Sequence, residues 1–186
     1  MSWKWRSLKV ITFLAPVTLT FIDTVGHVSR VEGVSMQPCF NPEVNKSLDY
    51  VWLNIWSTVG YQFKRGDIVT LRAPYNPKNT VIKRIIALEG DSVSHVNSDD
   101  VWVRVPRGQC WVEGDNPRFS KDSNSYGPVP LGLIQAKATH IVWPPRRWCK
   151  LNSSNNEYSL PPDRVMPNHI TSSHNDYNGR PCTTVI

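Results

Sequence analysis

Short runs rich in β-branched and aromatic residues, separated by glycine and proline, fill the middle of this chain. Such runs are typical of β-strands. They cover residues 27–36, 50–55, 68–71, 80–88, 101–105, 109–113 and 134–143. A cluster of proline and asparagine at residues 74–79 predicts a loop between two of them. Many short strands with tight turns and a single convincing helix predict a mainly β domain.

An uncharged apolar stretch near the N-terminus is the candidate helix. Residues 10–22 carry no charge, and Lys4, Arg6 and Lys9 precede them. A bilayer span needs about 20 residues, so the helix must extend beyond the uncharged stretch into flanking residues within 8–28. A lysine at the helix end can snorkel, which places its ammonium group at the membrane surface. We expect an uncleaved single membrane anchor, oriented by the positive-inside rule. A cleaved secretory signal, a buried helix and an amphipathic mitochondrial targeting segment are the alternatives.

The chain therefore divides into three regions. Residues 1–28 form a basic N-terminus with the anchor, and residues 29–149 form one β-rich domain. Residues 150–186 shift to Asn, Ser and Pro without apolar periodicity, and we expect this tail to be mostly disordered. A partner-binding tail is the alternative.

Charge and cysteine spacing exclude several classes of function. The net charge of +6 is spread along the chain without a basic block or a nucleic-acid motif, so we expect no nucleic-acid partner. The cysteines have no CxxC spacing and the histidines form no HExxH, so we expect neither a metal site nor a cofactor. We expect each cysteine to be free, and a disulfide framework is not indicated. The four positions are Cys39, Cys110, Cys149 and Cys182.

A serine in residues 31–38 is the first candidate for chemistry. Pro38 restricts the residue before it to extended conformations, so we expect a strand that stops abruptly. Gly33 allows a substrate or a backbone to approach closely just before Ser35. This arrangement would present a hydroxyl at the edge of a groove, although an ordinary turn would also satisfy it.

A lysine within an apolar strand is the second candidate. In the run 80–88, alternation places Lys83 on one face with Val81 and Ile85, and Arg84 on the other. Burial disfavours the ammonium form, so the pKa of Lys83 should fall. A neutral lysine can take a proton from a hydroxyl, as in Ser-Lys nucleophile activation. The alternative is that Lys83 snorkels out of an edge strand.

The loop 114–127 is the third candidate. Ser120 could hydrogen-bond a neutral lysine amine and orient its lone pair. Asp115 and Asp122 could hold the loop through Arg84 or backbone amides. A turn-rich surface loop without chemistry would have the same composition.

Together these stretches resemble the type I signal peptidase family of membrane-anchored Ser-Lys proteases. The matching motifs occur in the order of the family and cover most of residues 30–130. They are residues 35–38 (SMQP), 66–69 (GDIV), 83–91 (KRIIALEGD) and 114–123, which open with GDN and end with DS. The resemblance implies a signal-peptidase-like, β-rich protease domain on one membrane anchor, with a groove that binds its substrate as an extended strand.

The resemblance also implies roles for individual residues. Ser35 would be the nucleophile and Lys83 the general base, with Ser120 orienting Lys83 and Asp122 supporting the site. Arg84 and Asp115 would be supporting residues as well. The expected substrate-binding residues are Val34, Ile85 and Val112, and Val112 would also shelter Lys83.

Two departures from the family pattern bear on these roles. Gly33 stands where bacterial relatives often carry a Ser whose hydroxyl completes the oxyanion hole. Asn124 stands where many relatives carry an Arg that pairs with the Asp two positions before it. Asp122 must then be satisfied by Asn124 or by backbone donors.

Within the family, the amino-acid sequences of these motifs are most similar to those of mitochondrial members. The resemblance therefore implies a single-pass protein of the mitochondrial inner membrane with its protease domain in the intermembrane space. It implies precursor polypeptides as substrates, from which sorting signals are removed, and a homologous catalytic subunit as partner.

Three rival functions remain open at this point. A non-catalytic subunit that stabilises its partner need not keep both Ser35 and Lys83. A self-cleaving repressor with a similar Ser-Lys pair needs an N-terminal DNA-binding domain, for which the residues before Ser35 leave no room. A membrane-anchored binding module would not need four motifs in order.

Overall fold

A computed structural model describes residues 12, 14–20, 23–42, 47–96, 98–151 and 164–167. The strands are β1 (Gly26–Arg30), β2 (Tyr50–Asn54), β3 (Ile68–Ala73), β4 (Asn76–Ala87), β5 (Ser92–His95), β6 (Ser98–Arg104), β7 (Gln109–Glu113), β8 (Val129–Pro130), β9 (Ile134–Trp143), β10 (Cys149–Lys150) and β11 (Val165–Met166). Between them lie the short helix α1 (Ser123–Tyr126) and the 3₁₀ turns Trp56–Thr58, Pro117–Phe119, Leu131–Leu133 and Pro145–Arg147. The predicted mainly β fold is confirmed.

The strands form an eight-stranded sheet and a smaller three-stranded sheet. The large sheet has the order β1-β2-β9-β3-β4-β7-β8, and β10 also pairs with β9. The small sheet has the order β11-β5-β6. Neighbouring strands are antiparallel in both. This order places β4, which carries Lys83, between β3 and β7.

Three buried apolar clusters surround β4. Ile82 packs against the first cluster, Ile85 belongs to the second and Ile86 to the third. Their other members include Met36, Phe40 and Val51 in the first, Val69, Leu71 and Val112 in the second, and Val93, Val105 and Trp111 in the third. The second half of β4 is therefore buried on both faces, as its nearly continuous apolar sequence requires.

The strand predicted over residues 27–36 ends early, at Arg30. Gly33 has φ = +88°, a left-handed conformation that does not continue a strand. Beyond it the chain turns back, with Gln37 N–H donating to Val34 O (3.2 Å) and Phe40 N–H donating to Met36 O (2.9 Å). Ser35 therefore lies at the start of a turn and not within a strand.

The loop predicted over residues 74–79 is wrong in extent. Ala73 pairs directly with Asn76, so β3 and β4 form a tight hairpin and β4 begins at Asn76. Pro77 fits within the strand because β7 pairs with β4 only from Arg84 onward. Proline is tolerated where a strand has a neighbour on one side only.

Two further differences concern β5 and the C-terminal tail. The strand β5 was not predicted, and it joins β6 and β11 in the small sheet. Residues 164–167 belong to the tail expected to be disordered, yet Val165 pairs with Val93 and packs against the third cluster. The rest of the tail from residue 152 lies outside the described residues. The expectation of free cysteines fails at Cys149, which is disulfide-bonded, whereas Cys39 and Cys110 form no disulfide.

The anchor predicted within residues 8–28, around the uncharged stretch 10–22, is described only in part. Residues 14–20 are helical, with Leu14, Val17 and Leu19 exposed. Within the described residues, no helix has both the length and the apolar character needed to cross a bilayer. The basic residues that precede the anchor lie outside the described residues.

Candidate active site

The turn that carries Ser35 is fixed by its apolar neighbours. Met36 and Phe40 are each 1 % exposed and belong to the first buried cluster. Farther along the turn, Asn41 donates its backbone N–H to Asp49 Oδ2 (2.7 Å) and its Nδ2 to Val31 O (2.9 Å). Ser35 itself is half-buried. The packing of this turn leaves the serine at a surface.

The loop after β7 holds the Ser35 turn through its backbone. Asn116 donates its backbone N–H to Ser35 O (3.0 Å) and its Nδ2 to Val34 O (3.1 Å). A Cβ at Gly114 would lie 2.4 Å from both Ser35 O and Ser120 Oγ. Only glycine fits at this position, because Ser35 O and Ser120 Oγ both lie where a side chain at Gly114 would stand.

Lys83 is almost completely buried in β4. Its exposed fraction is 3 %, and it lies opposite Val69 of β3. Burial lowers the pKa of Lys83, while the charges of Asp122 and then Asp115 act in the opposite direction. A lysine that snorkels out of an edge strand would be exposed, so this alternative does not describe Lys83.

The motif at residues 66–69 holds the strand of Lys83 in register. Gly66 N–H donates to Ile85 O (2.7 Å), and Ile85 N–H donates to Asp67 O (2.8 Å). The Asp67 carboxylate in turn forms an ion pair with Lys137 of β9 (2.7 Å). These contacts tie the lysine strand to both β3 and β9.

Asp122 is satisfied without the arginine that many relatives carry. Its Oδ2 accepts from Ser120 Oγ (2.5 Å) and from Gly114 N–H (3.0 Å). Its Oδ1 accepts from the backbone N–H (3.2 Å) and the Nδ2 (3.1 Å) of Asn124. The bond from the Asn124 backbone N–H is the N-cap bond of α1. Because Ser120 donates its proton to Asp122, the lone pairs of Ser120 are left to accept from an amine.

The pair predicted between Arg84 and Asp115 is present and buried. Arg84 Nε donates to Asp115 Oδ1 (2.8 Å), and Arg84 Nη2 donates to Asp115 Oδ2 (2.6 Å). The exposed fraction is 3 % for the side chain of Arg84 and 4 % for that of Asp115. Arg84 Nη1 also donates to Gly66 O (3.1 Å). The pair therefore joins the lysine strand to the loop that contains Gly114.

We expect Asp115→Asn to destabilise the protein by about 3–5 kcal/mol, because it leaves the buried Arg84 charge without a counter-ion. Urea unfolding of the full-length chain in detergent, followed by tryptophan fluorescence, measures the loss. Glu32→Gln is the matched control, because its pair with Arg30 is exposed and should contribute less than about 1 kcal/mol. Equal urea midpoints for the two variants would contradict this expectation.

Two of the predicted substrate-binding residues lie in the core. Ile85 and Val112 are 0 % exposed and belong to the second cluster. Their placement gives no support to a contact with substrate, because side chains without exposed surface cannot meet a ligand in this conformation. Ile85 lies on the strand of Lys83 itself, and Val112 of β7 pairs with Ile85. Val34 is half-buried beside Ser35.

A cavity of about 270 Å³ adjoins Ser35. Its walls come from the segment that contains β1, from β2 and from the hairpin β3–β4. The lining residues are Ser29, Arg30, Val31, Glu32, Ser35, Val51, Leu53, Thr70, Thr80, Val81 and Ile82. Glu32 and Arg30 form an ion pair at this cavity. Apart from Ser35, none of these residues was singled out from the sequence as part of the site.

Sequence reasoning also missed residues that organise the loop. The sequence placed Gly114 and Asn116 within a motif of the family but predicted no contact for either residue. Glu113 was not considered, although its Oε1 accepts from Trp111 Nε1 (2.8 Å) and from Asn124 Nδ2 (2.9 Å). An acidic residue at the end of an apolar strand, directly before a Gly-Asp-Asn turn, was the available signal.

Comparison with known proteins agrees with this arrangement. The family model described as "Signal peptidase, peptidase S26" matches residues 4–104, which include both Ser35 and Lys83. Mitochondrial inner membrane protease subunit 2 of Mus musculus is 51 % identical over 88 % of this chain and 93 % of its own length. The protein of the same name from Saccharomyces cerevisiae is 41 % identical over 77 % of this chain and 82 % of its own length.

A second subunit is also similar to this chain. Mitochondrial inner membrane protease subunit 1 of Homo sapiens is 36 % identical over 76 % of the chain and 84 % of its own length. The match to the family model spans both the Ser35 turn and the lysine strand. On this basis, the chain belongs to the signal peptidase family, peptidase S26.

Proposed function

We propose that this chain is a membrane-anchored serine endopeptidase that uses a Ser35–Lys83 dyad. Its substrates are precursor polypeptides delivered to the mitochondrial intermembrane space, from which it removes sorting peptides. The observation that carries the proposal is the burial of Lys83 together with the contact of Gly114 with both Ser35 and Ser120. A buried lysine with a lowered pKa and a serine held in a fixed turn are the two groups that Ser-Lys catalysis needs.

In the first half of the reaction, Lys83 acts as the general base. Neutral Lys83 takes the proton of Ser35 as Oγ attacks the scissile carbonyl. The tetrahedral intermediate collapses when the protonated Lys83 gives its proton to the leaving amine. The C–N bond breaks, and the sorting peptide remains as an ester on Ser35.

In the second half, Lys83 takes a proton from a water molecule that attacks the ester. The ester C–O bond breaks, the serine recovers its proton, and the sorting peptide leaves as a carboxylate. The backbone N–H of Ser35 is one donor to the oxyanion. Gly33 offers no hydroxyl, so a second donor must come from a backbone amide or from water, because losing one donor costs about 10²–10³ in rate.

Two strand edges at the cavity support binding of an extended peptide. In the described part of the chain, β1 pairs with β2 on one side only, and β4 has no β7 partner before Arg84. Residues of both edges, among them Arg30 and Thr80, line the cavity beside Ser35. Unpaired backbone groups on such edges bind an added strand.

The relatives support a location and a partner. The similar proteins are named as subunits of a mitochondrial inner membrane protease, and subunits 1 and 2 both resemble this chain. We place this chain as a single-pass protein of the mitochondrial inner membrane with its protease domain in the intermembrane space. It would assemble with inner membrane protease subunit 1.

Processing of intermembrane-space precursors in mitochondria that lack the endogenous protein tests the proposal. The mitochondria receive wild type or Ser35→Ala, and blots follow both precursor cleavage and the amount of subunit 1. We expect wild type to restore cleavage and Ser35→Ala to fail while subunit 1 persists. Normal cleavage by Ser35→Ala would show that the chain is a non-catalytic stabilising subunit instead.

A further inference from the structure

Arg164, directly before the tail strand β11, contacts the domain through Glu113. Its Nη2 donates to Glu113 Oε1 (2.8 Å) and to Ser94 O (3.0 Å), and its Nη1 donates to Glu113 Oε2 (3.3 Å). The side chains of Arg164 and Glu113 are 19 % and 9 % exposed. This is a forked charge pair in a mostly buried place, the geometry in which arginine binds a carboxylate most specifically.

A continuous chain of hydrogen bonds runs from Arg164 to Ser120 in the loop 114–127. Glu113 Oε1 accepts from Asn124 Nδ2 (2.9 Å), and the same Nδ2 donates to Asp122 Oδ1 (3.1 Å). Asp122 Oδ2 accepts from Ser120 Oγ (2.5 Å). The tail and Ser120 are therefore separated by three side chains, each bonded to the next.

The charge of Arg164 matters because Asn124 is shared. One amide nitrogen bridges two buried carboxylates, those of Glu113 and Asp122, and it carries no charge to offset theirs. Arg164 supplies a positive charge to Glu113. Removing it would leave a buried carboxylate without its counter-ion, which disfavours the arrangement as a whole.

Backbone pairing positions Arg164. Val165 pairs with Val93 and Met166 pairs with Ser92, so β11 adds to the edge of β5. Val165 also packs against the cluster that contains Trp111, whose Nε1 donates to the same Glu113 oxygen. The guanidinium is therefore held by a strand and an apolar contact.

We propose that Arg164 is a positioning residue of the protease, and that β11 completes the active unit by fixing Glu113, Asn124 and Asp122 behind Ser120. This rests on the proposed function, because it assigns a role within the same site. Within the tail, Arg164, Val165 and Met166 thus belong to the catalytic domain.

The kinetic signature follows from where the network ends. Because Arg164 lies outside the cavity beside Ser35, its loss should lower kcat by about tenfold to a hundredfold and leave KM little changed. The groups that face Lys83 are the carboxylates of Asp122 and Asp115, the latter paired with Arg84. Without Arg164, the negative charge of Glu113 and Asp122 is less compensated, which favours the protonated form of Lys83 and raises its pKa. The acidic limb of the rate profile should therefore move to higher pH.

The experiment compares full-length variants in detergent-solubilised mitochondrial membranes. A radiolabelled intermembrane-space precursor is the probe, and cleavage is measured against precursor concentration and pH. Arg164→Gln removes the charge, and Arg164→Lys keeps it without the fork. Arg104→Gln is the matched control, since Arg104 is an exposed arginine on the neighbouring strand β6. Hydrogen–deuterium exchange of residues 111–126 reports the network without using activity.

We expect Arg164→Gln to lose kcat, shift the acidic limb upward and exchange faster over residues 111–126. Arg164→Lys should recover the pH profile and part of kcat, and Arg104→Gln should match wild type. In Glu113→Gln/Arg164→Gln the unpaired charge is gone, so the combined loss should be smaller than the sum of the single losses. An Arg164→Gln variant with wild-type exchange and pH profile overturns the inference, whereas a wild type that cleaves nothing overturns the proposed function.

Discussion

Replacement of Lys83 by methionine is expected to lower the rate of precursor cleavage by about 10³-fold or more, because the proposed mechanism then lacks the general base for Ser35. Methionine has a similar length and suits a position with 3 % exposure among apolar residues. Cleavage of a radiolabelled precursor by the full-length protein in solubilised membranes measures the effect. Lys78→Met is the matched control, as Lys78 is exposed on the same strand, and it should cleave like wild type.

The stability of Lys83→Met separates catalysis from folding. Burial lowers the pKa of Lys83 in the folded state, so below the ordinary pKa of lysine its protonated form is better accommodated in the unfolded chain. At neutral pH the wild-type lysine therefore costs stability, and methionine should leave the melting temperature equal or higher. A variant that cleaves normally, or one that is inactive only because it unfolds, would contradict this account.

Gly114→Ala is expected to lower cleavage by about 10²-fold although no reacting group changes. The added Cβ would lie 2.4 Å from both Ser35 O and Ser120 Oγ, so the Ser35 turn and the loop that carries Ser120 must move apart. A displacement of about 1 Å at a reacting atom can cost this much. Precursor cleavage measures the loss, and faster hydrogen exchange at Asn116 reports the broken bond to Ser35 O.

The control for this substitution is Gly132→Ala. A Cβ at Gly132 meets no atom within 4 Å, and its backbone is not left-handed. It should therefore cleave like wild type. Equal activity of the two alanine variants would mean that Ser35 and Ser120 are not held through Gly114, and the proposed geometry would be wrong.

Local pattern was enough to predict much of the fold and of the candidate site. Alternation in one strand predicted that Lys83 lies among apolar residues, and burial in the structure follows the same reasoning. Opposite charges in two motifs predicted the pair of Arg84 and Asp115. The strands over residues 50–54, 109–113 and 134–143 were predicted nearly to their ends because period-2 patterns are local.

Features that depend on distant contacts were not predicted. Pro77 was predicted to lie in a loop because the sequence does not show whether a strand has neighbours on one side or on both. Arg164 lies 51 residues from Glu113, and the polar composition around it indicated disorder. Cys149 was expected to be free because spacing alone does not reveal a disulfide. Each error concerns a residue whose structure is decided by a partner elsewhere in the chain.

The two strand edges at the cavity have a consequence for the range of substrates. Main-chain groups are the same in every polypeptide. A peptide that pairs with the edges of β1 and β4 would therefore bind through its backbone, largely independently of its side chains. Discrimination is then left to the few side chains around the cavity next to Ser35. Under the proposed function, unrelated precursors could share one protease, and a new precursor could become a substrate by changes near its scissile bond alone.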